Sequence, residues 1–390
     1  MVIKQAKFSF FLHFFAFISI FLPACIAASP ALIPSAPQVS ANSYILMDAA
    51  SGDILIEEDS HKRLPPASLT KMMTAYIVEH EVAEGRINFY DQVPVSVKAW
   101  KTGGSKMFIK EGTKVVLEDL LKGVIIQSGN DASIALAEYV AGSELAFADI
   151  MNQQAKLLGM KDTNFENATG LPSENHYSTA YDLALLAKAI IRNYPEQYTL
   201  YAEKYFTYNS IRQPNRNRLL WRDKSVDGLK TGHTEEAGYC LVSSAERDGM
   251  RLISVVMGTN SENARAQESQ KLLNYGFRYF ETHNLYQAGT SLTESPVWLG
   301  LASKVQLGLA KDVIITIPRG QKDALKAELL VDPIVKAPLN VGQKIGQLEV
   351  SLKGEVIVSE PLVALEPVPE AGFFKRLWDS IKLFFIGLFS

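Results

Sequence analysis

Along the 390-residue chain the rhythm of apolar and polar positions changes several times, and each change marks a boundary. Lys4 and Lys7 precede a mainly apolar stretch over residues 8–22, followed by small residues at 24–28. That order predicts an export signal over 1–28, because the apolar stretch is short for a bilayer span. A retained N-terminal anchor is the alternative, and Leu22-Pro23-Ala24-Cys25 leaves lipidation of Cys25 open. Residues 29–37 are rich in Ala, Pro and Ser and read as a linker. Apolar runs at 44–48 and 53–56 flank Ala49-Ala50-Ser51-Gly52 and predict a hairpin. From Leu69 to about Ile191 the spacing is mainly helical, as in Leu183, Leu186, Ala187 and Ile190. Strand patterns return at 239–244 and 251–257, with Asp248-Gly249 as the turn, and 269–280 reads as one more helix. Strands that open and close residues 38–284, with helices between, predict one sheet surrounded by helices.

Residues 285–367 change character again. Short strand-like runs at 305–309, 313–317, 325–331, 345–352 and 355–365, broken by Pro and Gly, predict a separate all-β domain without a chemical constellation. The last segment, 371–390, predicts an amphipathic helix. At 3.6 residues per turn, Phe373, Phe374, Leu377, Trp378, Ile381, Phe384, Phe385, Leu388 and Phe389 share one face. Lys375, Arg376, Asp379 and Lys382 share the other, while Leu383 and Ile386 interrupt it. The apolar run 383–386 is too short to cross a bilayer, so the helix is expected to lie in a membrane interface. The alternative is docking on the β domain or on another subunit.

A net charge of −3 and the lack of Lys/Arg runs argue against nucleic acid as a partner. With Cys25 in the export segment, Cys240 stands alone in an apolar strand pattern and is expected to be a buried hydrophobe. The six histidines lack metal-ligand spacing and no Gly-rich phosphate loop occurs, so neither a metal nor a cofactor is expected.

The chemistry concentrates in three short motifs. Serine needs a base within hydrogen-bond reach, and Ser68-Leu69-Thr70-Lys71 puts Lys71 one helical turn from Ser68. Lysine can act as that base only if burial and a second cation lower its pKa, and Lys230 is a candidate for that cation. Ser128-Gly129-Asn130 lies between two helical runs, where the Ser128 hydroxyl can relay a proton from Lys71 and Asn130 can bind a substrate peptide. Lys230-Thr231-Gly232 leads into the strand hairpin, whereas Lys101-Thr102-Gly103 sits among glycines and reads as loop. On a sheet edge, Lys230 and Thr231 can hold a carboxylate and Gly232 permits close approach of substrate backbone. The N–H groups of Ser68 and His233 would then form an oxyanion hole. Arg216 is a further candidate for the carboxylate.

The segments Pro66-Ala67-Ser68-Leu69-Thr70-Lys71-Met72-Met73-Thr74, Gln127-Ser128-Gly129-Asn130-Asp131-Ala132 and Asp227-Gly228-Leu229-Lys230-Thr231-Gly232-His233-Thr234 resemble the low-molecular-mass penicillin-binding proteins. More narrowly, they resemble D-alanyl-D-alanine carboxypeptidases of the penicillin-binding protein 5 type. The resemblance implies a serine transpeptidase/β-lactamase-like α+β catalytic domain, an antiparallel sheet flanked by helices with a helical subdomain. It also implies removal of the terminal D-Ala from peptidoglycan pentapeptides through an acyl-serine, and β-lactams as covalent inhibitors. It places the enzyme at the periplasmic face of the inner membrane, held there by its C-terminal helix. Carried over by motif, Ser68 is the acyl site, Lys71 the base, and Ser128 and Asn130 the second element. Lys230, Thr231 and Arg216 take the carboxylate. A serine β-lactamase shares the motifs, but its class A form deacylates with a Glu-x-x-Leu-Asn glutamate that this chain lacks. A non-enzymatic wall-binding scaffold would have let a motif decay, and all three are intact.

Overall fold

A computed structural model describes residues 33–389; the expected export signal therefore lies outside the described residues, as does Cys25. Strands β1 (Ser43–Asp48) and β2 (Ile54–Glu58) form the expected hairpin. The helical middle comprises α1 (Lys71–Ala83), α2 (Val97–Lys101), α3 (Leu117–Ile126), α4 (Asn130–Ala141), α5 (Glu144–Leu157), α6 (Ala180–Asn193), α7 (Pro195–Tyr198) and α8 (Leu219–Arg222). Two short hairpins interrupt it, β3 (Gln92–Pro94) with β4 (Lys114–Val116) and β5 (Tyr205–Tyr208) with β6 (Ile211–Pro214). Strands β7 (Val226–Thr234), β8 (Gly238–Arg247) and β9 (Met250–Thr259) then complete an antiparallel sheet in the order β2-β1-β9-β8-β7. The turn at Asp248-Gly249 has positive φ at both residues, 51° and 79°, as a tight hairpin requires.

Alternation decides which face each strand residue covers. Ile45, Met47, Cys240, Val242, Ile253 and Val255 join the core made with α1, α3, α4 and α6. Leu46, Leu241, Leu252 and Val256 join the opposite core with α8 and α9 (Glu262–Tyr279). Both faces are thus covered, and β7 is left as an edge.

The expectation for α9 is corrected in length: it begins at Glu262, capped by the Ser261 hydroxyl accepting from Ala264 N. Its first two turns are polar, so the apolar rhythm becomes visible only later. The boundary at 285 also moves. Strand β10 (Phe280–Tyr286) pairs antiparallel with β13 (Val313–Pro318), so the β domain starts directly after α9. Its other strands are β11 (Ser291–Trp298), β12 (Lys304–Leu309), β14 (Leu325–Val331), β15 (Val335–Lys336), β16 (Lys344–Leu352) and β17 (Glu355–Ala364), in the order β14-β16-β17-β12-β11-β15. Hydrogen bonds join the two domains: Thr282 Oγ1 donates to Asp48 Oδ2 (2.5 Å), and Thr316 N to Asp53 Oδ2 (2.9 Å).

The final helix, α10 (Phe373–Phe389), contacts the β domain with its polar side. Asp379 is buried and accepts from Leu299 N (3.0 Å), and Lys375 donates to Gly300 O. The aromatic side points away, with Phe374 and Phe384 85% and 65% exposed. Among the described residues no helix is long and apolar enough to cross a membrane.

Candidate active site

Ser68 sits in a single 3₁₀ turn, Ala67–Thr70, that runs directly into α1. Lys71 opens α1, so its side chain folds back over the preceding turn and brings Nζ to 3.0 Å from Ser68 Oγ. The ammonium also donates to Thr169 O (2.5 Å) and is 1% exposed. Burial pushes the Lys71 pKa down to about 7, and the nearby charge of Arg216 pushes the same way, while Asp131 opposes them. A substantial share of Lys71 is therefore neutral at physiological pH, which is what a general base for Ser68 requires. Arg216 is thus a second neighbouring cation beside the expected Lys230, which itself feels the charge of Lys71.

The loop that supplies Thr169 O is pressed onto the serine turn. Gly170 has φ +76°, and a Cβ there would stand 1.8 Å from Ala67 O. Behind it His176 is buried and neutral, with burial lowering its pKa to about 4. Glu166 N donates to its Nδ1 (3.1 Å), so Nε2 carries the proton and donates to Thr70 Oγ1 (2.8 Å). His176 thus ties this loop to the serine turn.

Ser128 occupies the tight connection between α3 and α4, with a positive φ of 60°. Its Oγ accepts from Lys230 Nζ (2.9 Å), and Lys230 also donates to Thr231 O (3.0 Å). The direct hydrogen-bond partner of Ser128 Oγ is thus Lys230. Burial holds the Lys230 pKa well below the ordinary lysine range, helped by Lys71, Arg216 and Arg265. Asn130 is held from two sides: its N donates to Ser105 O and its Nδ2 to Gly103 O, both at 2.7 Å. Lys101-Thr102-Gly103 is thus helix end and loop, as expected, yet its Gly103 carbonyl fixes the orientation of Asn130.

On the other wall runs the edge strand β7. A Cβ on Gly232 would lie 2.9 Å from Pro66 O and 3.3 Å from Leu69 N. Close approach at Gly232 is therefore to the protein's own serine turn, a constraint the sequence reading assigned to the substrate. His233 is exposed and stacks near Tyr239, with ring centroids 4.0 Å apart. Between these walls lies a cleft of ≈ 210 Å³ lined by Ser68, Ser128, Thr231, Gly232, His233 and Arg216, with Ser105, Tyr239, Glu262 and Arg265. Every predicted motif is represented in or directly behind this cleft.

Sequence reasoning missed Arg265. It is buried, its Nη1 donates to Gly232 O (3.1 Å), and its guanidinium lies 5.6 Å from the Tyr239 ring centroid. A charged residue in register with the buried positions Ser269, Leu272 and Gly276 of α9 was the available signal. Among the described residues no cluster of His, Cys, Asp and Glu could hold a metal ion.

Comparison with known proteins agrees with this geometry. A family model described as D-alanyl-D-alanine carboxypeptidase matches residues 31–261, and one described as penicillin-binding protein 5, C-terminal domain, matches residues 280–370. The D-alanyl-D-alanine carboxypeptidase DacC of Escherichia coli (strain K12) is 47% identical over 378 residues, covering 95% of this chain and 94% of its own. The crystal structure of penicillin binding protein 5 from Haemophilus influenzae matches with a TM-score of 0.84 at 45% identity, covering 86% of this chain and 100% of that one. That of penicillin-binding protein D2 from Listeria monocytogenes in the ampicillin-bound form matches with a TM-score of 0.58 at 32% identity, covering 62% of this chain and 100% of that one.

Proposed function

This chain belongs to the D-alanyl-D-alanine carboxypeptidase family, and we propose that it trims peptidoglycan pentapeptide stems at Ser68 from the periplasmic face of the inner membrane. One observation carries the assignment of the nucleophile: Ser68 Oγ lies 3.0 Å from the buried Lys71 Nζ, whose pKa is near 7.

In the proposed sequence the terminal carboxylate of the substrate rests against Arg216, Thr231 and Lys230, with Arg265 behind them. Neutral Lys71 takes the proton of Ser68 Oγ as that oxygen attacks the carbonyl of the penultimate D-alanine. The N–H groups of Ser68 and His233 hold the developing oxyanion, a donor being typically worth about 10²–10³ in rate. Collapse breaks the peptide bond, and the departing amine of D-alanine receives the proton from Lys71 through Ser128. Water then attacks the acyl-serine carbonyl, giving a proton to Lys71; collapse breaks the acyl C–O bond, Lys71 returns that proton to Ser68 Oγ, and the shortened stem leaves. Asn130, fixed by Gly103 O and Ser105 O, keeps its amide oxygen toward the substrate peptide. A β-lactam follows the first half: Ser68 opens the lactam C–N bond and the ring nitrogen keeps the proton. The ampicillin-bound relative supports that expectation. Family membership favours the carboxypeptidase over the β-lactamase and scaffold readings.

The membrane assignment draws on α10, whose polar side is engaged by the β domain while its aromatic side faces outward. Such a face binds in the plane of a membrane interface. The test is D-alanine release from a pentapeptide ending in D-Ala-D-Ala by the native protein and Ser68→Ala, with vesicle co-sedimentation measured in parallel. Release by the variant would remove Ser68 from its role. Failure to sediment with anionic vesicles would remove the anchor.

A further inference from the structure

Charge is unevenly spread around the catalytic cleft. Between Val97 and Lys114 five lysines face the single acid Glu111, and between Lys204 and Arg222 one lysine and four arginines occur without any acid. The whole chain nevertheless carries a net charge of −3. The two segments meet at the cleft: Ser105 and Arg216 both line it, and Gln213 Nε2 donates to Lys106 O (3.4 Å). Some of these cations are committed, Arg216 to the cleft, Lys98 to Glu144 and Arg218 to Glu262. Lys110, Lys204 and Arg212 are exposed and have no ion pair among the described residues.

The same rim holds apolar rings in solvent. Phe108 is 48% exposed and has a φ of 70°, a region that a bulky residue adopts only when its surroundings impose it. Asp131 imposes it. Its carboxylate accepts from Met107 N (2.9 Å), Phe108 N (2.9 Å) and Ile109 N (3.2 Å), while the flanking Met107 and Ile109 are buried. Backbone strain is thus tolerated where it keeps this ring outside. Across the rim, Tyr205 and Trp221 are also exposed and meet edge to face, their centroids 5.9 Å apart. Arg212 lies 3.8 Å from the Tyr205 ring centroid and Lys204 6.0 Å from that of Trp221. Both cations therefore rest on rings rather than on acids.

Free cations beside exposed rings suit a ligand that is anionic and also has apolar C–H faces. A glycan strand bearing stem peptides is such a ligand. Every uncut stem ends in a carboxylate, so the strand is a polyanion, and its sugar rings present C–H faces. While one stem occupies the cleft, its neighbours are tethered near the rim at high effective concentration. We propose that this rim is a docking surface for the peptidoglycan strand outside the cleft, with carboxylates held by Lys110, Lys204 and Arg212 and sugars by Phe108, Tyr205 and Trp221. The proposal rests on the carboxypeptidase reading of Ser68 and extends its substrate from the stem to the polymer.

The test compares D-alanine release from uncross-linked polymeric peptidoglycan and from the free pentapeptide. For the full-length protein, kcat/KM per stem is expected to be about 10-fold higher on the polymer, with the advantage shrinking as salt is added. Lys110→Gln/Lys204→Gln/Arg212→Gln should remove the salt-dependent part. Phe108→Asn, which tolerates the left-handed backbone, should lower the remainder. Both variants should keep native turnover of the free pentapeptide and native acylation by a penicillin. Equal kcat/KM on the two substrates in the native protein, or a polymer advantage that survives in both variants, overturns the rim. So does an equal loss on polymer and pentapeptide. Co-sedimentation of Ser68→Ala with insoluble peptidoglycan, with and without the triple substitution, reads the rim apart from catalysis; undiminished sedimentation overturns it. Weakened binding to anionic vesicles alone would assign these cations to lipid and overturn it as well. Absence of D-alanine from the free pentapeptide overturns the carboxypeptidase reading, whereas weakened sedimentation still supports the rim.

Discussion

Glu79 offers a sharp test of how the catalytic core is held. It lies on α1, two turns beyond Lys71, and is 1% exposed. Among the described residues neither of its carboxyl oxygens has a partner, nor does the nearby hydroxyl of Tyr201. Burial raises its pKa well above the ordinary carboxyl value, so the folded protein keeps it protonated. In the unfolded chain it ionises near pH 4.3. The sign follows from linkage: the folded state binds the proton more tightly, so this contribution is intact below the unfolded pKa and declines as pH rises. The loss is about 1.4 kcal/mol per pH unit for as long as the folded state retains the proton. Glu79→Gln keeps the shape and cannot ionise, so it should remove that slope. Urea unfolding of the catalytic domain at pH 5, 6, 7 and 8 would show the variant gaining on the native protein as pH rises, by at most about 1.4 kcal/mol per unit while the folded state keeps the proton. Parallel stability curves would refute the reasoning, since they would mean that Glu79 ionises equally easily in both states.

Four further outcomes can be checked. Acylation by a penicillin needs neutral Lys71, so its second-order rate should rise as pH passes about 7 and level off above. Arg216→Gln removes a charge that depresses Lys71 and should move that limb to higher pH; an unmoved limb would show that burial acts alone. Gly170→Ala places a methyl 1.8 Å from Ala67 O at φ +76°; the left-handed backbone costs about 1 kcal/mol, and the overlap should cut acylation by at least about 10²-fold. A native rate in stopped-flow measurement would contradict the proposed dependence of Lys71 on this loop. Asp379→Ala frees the Leu299 amide that α10 caps; limited proteolysis between the β domain and α10 should quicken while penicillin acylation stays at its native rate.

Much of the site was legible because its chemistry demands fixed local spacings. One helical turn relates Ser68 to Lys71, a tight interhelical link presents Ser128 and Asn130, and a sheet edge carries Lys230, Thr231 and Gly232. Relations between segments were harder. Nothing local says that Ser128 faces Lys230 or that Arg216 stands near Lys71, since these follow from how α3, the loop before α8, and β7 converge. Arg265 was hidden by the polar start of α9, which delays the visible periodicity. Strand β10 was missed because Phe-Glu-Thr-His-Asn-Leu-Tyr lacks a dominant apolar face and most of its residues are only partly covered. For α10 the two faces were legible, but the partner of its polar side was not: Asp379 finds Leu299 N only after the β domain has folded.

Cys240 adds a different kind of handle. Its thiol is fully buried on β8 between β7 and β9, accepts from Gly258 N (3.4 Å), and is pushed up to about 11 by burial. Thiol reagents attack the thiolate, so the closed sheet is inert, and alkylation proceeds only when β8 separates from a neighbour. With residues 1–28 removed this is the sole thiol, and its labelling rate becomes a clock for the opening of the strand that backs the cleft. Slower labelling after Ser68 is acylated would measure how far a bound acyl group tightens the sheet, without any turnover being observed.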